Sequence, residues 1–170
     1  MKIISGFYKG IKIDTVRDAS YRPTKSITRK SIFDIISPFY FTSVLDLYSG
    51  SGILGFESLS RGASSITFVE KDAKSIRLLH RNREKFEDMQ INIIKNKAEL
   101  FLKNTNDSFD LIFADPPYDK IDYYWLFNSC IKKLSKNGKL VVEMKKNNFI
   151  YDNCIEKIYG DTKVLLYDKS

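Results

Sequence analysis

The sequence predicts an α/β fold, a mostly parallel sheet with helices on both faces. Three observations carry this. From residue 43 onward β-rich runs alternate with helical patterns, a glycine-rich turn (Gly50, Gly52, Gly55) joins the first strand to its helix, and two β runs around Gly160-Asp161 close the chain. Taken in order, Lys2–Ser5 and Ile11–Asp14 flank Gly6 and Gly10 and predict a small hairpin. A polar stretch, Arg17–Lys25, contains Arg22-Pro23-Thr24. Ser26–Ile36 then reads as a helix, with Ile27, Ile32, Ile35 and Ile36 on one face and Pro38 just beyond its end. Strands follow at Ser43–Leu47, Ser65–Glu70, Ile91–Lys95, Phe109–Ala114 and Lys139–Met144. Between them lie helices at Gly52–Leu59, Ala73–Phe86, around Ala98–Lys103, and at Tyr123–Leu134, the last ending near Asn137-Gly138. Ile155–Tyr159 and Thr162–Tyr167 form the closing antiparallel hairpin. Sheets of this kind bind ligands outside the carboxyl ends of their strands, so chemistry is expected near Asp46, Glu70, Lys95, Asp115 and Glu143.

Composition narrows the function classes. With 170 residues and 43% hydrophobic content the chain can bury a real core, and no apolar run approaches the ~20 residues that cross a bilayer. The N-terminus, MKIISGFYKG, lacks the apolar core of a signal peptide, so a cytoplasmic protein is expected. Two cysteines, Cys130 and Cys154, are too few for a disulfide framework or a zinc cage and read as core thiols. The single histidine, His80, leaves no His-based triad or multi-histidine metal site, and no metal is expected. The net charge is +7, of which +5 falls in residues 1–41, with eight basic and three acidic side chains. The single boundary worth marking therefore divides a basic extension, 1–41, from a nearly neutral body, 42–170. Such an arm suits a polyanion, although an ordinary solvated surface would read the same way.

Two motifs carry chemistry. In Asp46-Leu47-Tyr48-Ser49-Gly50-Ser51-Gly52, glycines at a strand-to-helix turn let the backbone approach a ligand, and Glu70, after the second strand, can grip ribose hydroxyls. That pattern alone spells a dinucleotide site. Asp46 argues otherwise, because a carboxylate so close to the loop repels a pyrophosphate and attracts an ammonium or sulfonium. S-adenosylmethionine carries both cations and no phosphate. The second motif is Asp115-Pro116-Pro117-Tyr118, at the end of the fourth strand. Its prolines remove two backbone donors, leaving the Asp115 carboxylate and the Pro116 carbonyl as paired acceptors for an exocyclic amine. Methyl transfer needs this in-line geometry more than a strong base, since the nitrogen becomes acidic only as it is alkylated. Tyr118 can stack on a planar base. The arginines beside His80 read as a solvated face, and Glu143 is open between a structural and a site-lining role.

These residues resemble the class I S-adenosylmethionine-dependent methyltransferases that methylate amines. More narrowly, Lys2–Gly10, Arg22-Pro23-Thr24, Arg29, Ile32-Phe33 and the run Asp46–Ala63 resemble the RsmD-type bacterial 16S rRNA guanine-N2 methyltransferases. The resemblance spans residues 2 to about 145. It implies a Rossmann-like seven-stranded sheet, an N-terminal extension that contacts RNA, and a catalytic domain over 42–170. It further implies S-adenosylmethionine held by Asp46, Tyr48, Gly50, Ser51, Gly52, Glu70, Lys71 and Ala98. Catalysis falls to Asp115, Pro116, Pro117 and Tyr118, and RNA contact to Lys9, Arg22, Thr24, Arg29 and Lys30. The implied partner is 16S rRNA in assembling or assembled 30S particles, with a monomer as the default. Lys97 stands where the family often has a polar residue against the adenine, which hands that contact to the Ala98 backbone. A DNA adenine-N6 methyltransferase, a protein-glutamine methyltransferase and a non-catalytic NAD- or RNA-binding module are the alternatives.

Overall fold

A computed structural model describes residues 1–15, 26–117 and 121–169. Five helices and seven strands are described: α1 (Ser26–Ile35), β1 (Ser43–Leu47), α2 (Ile53–Ser60), β2 (Ser65–Glu70), α3 (Ala73–Arg83), β3 (Gln90–Lys95), α4 (Ala98–Asn104), β4 (Phe109–Ala114), α5 (Tyr123–Lys132), β5 (Leu134–Lys145), β6 (Cys154–Tyr159) and β7 (Thr162–Asp168). The strands form one sheet in the order β3-β2-β1-β4-β5-β7-β6. β3 through β5 are parallel, and β7 runs antiparallel between β5 and β6. The predicted α/β sheet, its C-terminal hairpin and its count of seven strands are all present.

Both faces of the sheet are covered, and the strand period of two sorts their side chains. Val44, Ile66, Phe68, Leu111 and Phe113 pack on one side with α1, α2 and α3, while Leu45, Leu47, Ile112, Ala114 and Val142 pack on the other with α4 and α5. Every residue of α2 is buried, including Glu57. A helix in the outer layer normally keeps a polar face. α2 has no exposed face because residues 1–15 lie over it, sending Ile3 and Ile13 into the same core and bonding Glu57 and Ser60.

Three local expectations are corrected. The two N-terminal runs pair through the single antiparallel bridge Lys2↔Lys12 rather than as full strands, flanked by bonds from the Ile3 amide to Ile11 O (3.0 Å) and from the Ile13 amide to Met1 O (2.7 Å). α3 stops at Arg83, three residues short of Phe86. The amides of Lys85 and Phe86 reach back only three residues, to Asn82 O and Arg83 O, and this tightening stacks Phe86 on Phe56 at 4.6 Å. β5 begins at Leu134, not Lys139. Leu134 pairs with Phe109 before the register shifts at Leu111↔Lys139, and Asn137 at φ 61° takes up the extra residues inside the strand.

Candidate active site

Glycines and two carboxylates, Asp46 and Glu70, build the glycine loop. Gly50 and Gly52 adopt φ values of 53° and 77°, and Tyr48 joins them at 57°. At Gly55 an added Cβ would sit 2.3 Å from the Phe68 ring, so this glycine seats the helix on the sheet. Asp46, at the end of β1, is buried, and its Oδ2 accepts the Gly55 amide at 3.1 Å. Burial holds the Asp46 carboxyl well above the usual carboxylate range, opposed by that amide, and Glu70 adds a smaller upward push. Glu70 ends β2. Its Oε2 accepts the Gly50 amide at 3.0 Å, and its Oε1 accepts the amides of Lys71 at 2.7 Å and Asp72 at 2.9 Å. A carboxylate has about four lone-pair sites, so one remains for an incoming hydroxyl.

Beside Glu70 opens a cleft of about 420 Å³, within the range of small-molecule sites. Tyr48, Glu70, Lys71, Asn96, Ala98 and Pro117 line it. Four of the sequence-derived cofactor residues thus meet one residue of the Asp-Pro-Pro-Tyr motif in a single concavity. The Tyr48 hydroxyl bonds Glu99 Oε1 at 3.1 Å, and burial first, then Glu99, pushes its ionisation far upward, so it serves as a neutral donor. Lys97 is exposed at the start of α4 and lines the cleft with Asn96 and Ala98. Asn96 is a polar neighbour that sequence reasoning passed over. Its signal is its place, one residue beyond the end of β3.

Parallel register brings the motif against a second carboxylate. Ala114 pairs with Val142, so Asp115, just past β4, and Glu143, within β5, follow side by side. Burial, then Glu143, then Asp46 raise the Asp115 carboxyl well above its usual range. Glu143, left open by the sequence, is buried in this group. Among the described residues no set of three or more His, Cys, Asp or Glu side chains is arranged to hold a metal. No described helix is long and apolar enough to cross a membrane.

The expected RNA contacts separate. Lys9 and Lys30 are exposed, Lys30 beside Asp34 at 2.8 Å. Arg29 is a correction. It is 2% exposed, its Nη2 donates to Lys2 O at 2.7 Å and its Nε lies 3.8 Å from Glu57, so its charge is used inside the fold. Arg22, Thr24 and Tyr118 lie outside the described residues. Sequence reasoning also missed Glu57, which accepts the amides of Ile4 (2.8 Å) and Ser5 (3.1 Å) and pairs with Arg61 at 3.0 Å. A single charged side chain in an otherwise uncharged helix was the available signal. Of the cysteines, Cys130 is buried and Cys154 half-buried.

Comparison with known proteins agrees with this architecture. The chain is 36% identical over 154 residues to ribosomal RNA small subunit methyltransferase D of Buchnera aphidicola subsp. Acyrthosiphon pisum, covering 88% of this chain and 75% of that one. It is 31% identical to the uncharacterized methylase RP545 of Rickettsia prowazekii, covering 98% and 96%. Among solved structures, the putative methyltransferase yhhF of Escherichia coli superposes with a TM-score of 0.87 at 26% identity, covering 99% of this chain and 97% of that one. Residues 1–168 match the family described as conserved hypothetical protein 95, and on that match and these identities the chain belongs to this family, that of the RsmD proteins, with a class I methyltransferase fold.

Proposed function

We propose that the protein transfers a methyl group from S-adenosylmethionine to the exocyclic N2 of a guanine in 16S rRNA. The observation that carries this reading is the Asp115 carboxyl, raised by burial and followed by two prolines, at the strand edge that also holds the glycine loop. Support for the RNA comes from the relatives named ribosomal RNA small subunit methyltransferase D.

The residues present fit the cofactor. Gly50 and Gly52 lie at positive φ, the buried Asp46 suits a cationic ligand rather than a phosphate, and Glu70 keeps one lone-pair site beside the cleft. Tyr48, Ser51, Lys71 and Ala98 complete its assigned surroundings. When bound, S-adenosylmethionine supplies an electrophilic methyl group on a sulfonium. Asp115 and the Pro116 carbonyl accept the two hydrogens of the guanine amine and so direct its lone pair outward. Asp115 in its ionised form can take the proton that the nitrogen sheds on alkylation. Tyr118, by its position after Pro117, is assigned to stack on the base, an interaction worth ~1–3 kcal/mol. Lys9 and Lys30, with Arg22 and Thr24, are assigned to the RNA backbone, and the 30S particle in the cytoplasm is the assigned setting, with the enzyme as a monomer.

The test is incubation with methyl-labelled S-adenosylmethionine and separate pools of unmethylated 30S particles, naked 16S rRNA, tRNA and DNA, followed by nucleoside analysis. N2-methylguanosine in 16S rRNA is the expected product. Label in N6-methyladenine of DNA, or no transfer to any pool, overturns the reading.

A further inference from the structure

A second polar assembly lies beneath the glycine loop, and the proposed reaction does not use it. Asn82, on the inner face of α3, is completely buried. Its Nδ2 donates to Asp14 O at 3.1 Å and to Ser51 O at 3.2 Å. Its Oδ1 accepts the Asp14 amide at 2.9 Å and Lys85 Nζ at 3.1 Å. An asparagine amide has two donor hydrogens and two acceptor lone pairs, so all four are engaged.

The bond to Ser51 lies at the start of α2. Gly55 is the third residue of that helix, so its amide is among the first four, which have no partner within the helix. Asp46 Oδ2 accepts that amide, and the Ser51 carbonyl, just ahead of the helix, accepts from Asn82. The glycine loop is therefore clamped from two sides, by a carboxylate beneath the site and by an amide that also grips the N-terminal arm at Asp14. Lys85 extends the same grip, reaching Lys12 O at 2.9 Å and Asp14 Oδ2 at 2.8 Å. A buried network whose members are all satisfied has one good arrangement, so moving either end disturbs the other.

We infer that Asn82 is a positioning residue that couples the N-terminal arm to the cofactor loop, so that filling the loop firms the arm and loading the arm firms the loop. Such a coupling is reciprocal by thermodynamic necessity. The inference rests on the cofactor reading above and adds to it a residue that touches neither cofactor nor substrate.

The test uses S-adenosylhomocysteine as the probe and backbone hydrogen exchange as the readout. In the wild-type protein, saturation with the probe should slow exchange of the Asp14 amide, although Asp14 is no part of the cleft. Asn82→Asp keeps the acceptor for that amide but sets an oxygen against two carbonyls. It should weaken probe binding by about tenfold and erase the Asp14 response. Arg77→Ala, at an exposed position of α3 outside this network, should retain probe affinity within about twofold. A residue with a merely structural role would lower stability and leave the Asp14 response absent in the wild type as well. Unchanged Asp14 exchange with the probe demonstrably bound overturns the inference, even if Asn82→Asp fails to fold. Near-native affinity in folded Asn82→Asp overturns it too. Failure of the wild type to bind the probe counts instead against the cofactor reading, and the first titration reveals it.

Discussion

Asp115 works in a place that disfavours its own charge. Burial, Glu143 and Asp46 all raise its pKa, so the folded protein binds that proton more tightly than the unfolded chain does. The stabilisation from the proton is full below the unfolded value and is lost as pH rises through the folded one. Asp115→Asn should therefore raise the Tm at neutral pH, with the gain shrinking in acid, while methylation falls by at least about a hundredfold. The ionised form is the acceptor the amine needs, so the ascending limb of kcat/KM against pH should lie above the ordinary carboxylate value of about 4. Glu143→Gln should move that limb toward acid, and a limb that stays put would remove Glu143 from the account. Asp46 and Asp115 were legible in the sequence because each belongs to a motif a few residues long, and Glu70 because it ends the strand that follows the glycine loop. Glu57 and Asn82 were not, because the backbone of the N-terminal arm that they hold, at Ile4, Ser5 and Asp14, lies more than fifty residues away.

At the scale of elements, the arm is seated on α2 by close approach. An added Cβ on Gly6, at φ 87°, would stand 1.7 Å from Ser60 O, whereas Gly10 at φ 89° has nothing within 4 Å. Gly6→Ala should cost about 1–3 kcal/mol or more in denaturant unfolding, and Gly10→Ala only about 1 kcal/mol. Equal losses would mean that the contact with Ser60 is not what fixes the turn. Glu57→Ala strands the buried Arg29 and should cost about 3–5 kcal/mol. The sheet's strands were readable because their β-branched and aromatic runs are short and bounded by turn residues. The start of β5 was not. Asn137-Gly138 is an ordinary helix-ending signal, and only the pairing of Leu134 with Phe109 turns it into an irregularity within a strand.

For the whole molecule, charge and core divide differently along the chain. The net charge is concentrated in residues 1–41, yet Ile3, Ile13, Ile32 and Phe33 share one core with Phe56 and Phe113. A charge count sees the first and cannot see the second. Lys9→Ala should lower the slope of log affinity against log salt for RNA by about one and spare the Tm. Arg29→Ala should lower the Tm and leave that slope unchanged, and the reverse pattern would return Arg29 to the RNA surface. The sheet order has a consequence in time. β7 lies between β5 and β6 but follows both in the chain. During synthesis β5 must wait with a bare edge, and β6 emerges before the neighbour it will pair with exists. A polypeptide interrupted near residue 160 would hold both motifs and most of its apolar core, yet carry an open, hydrogen-bond-hungry strand toward its neighbours, a species prone to aggregate rather than to work.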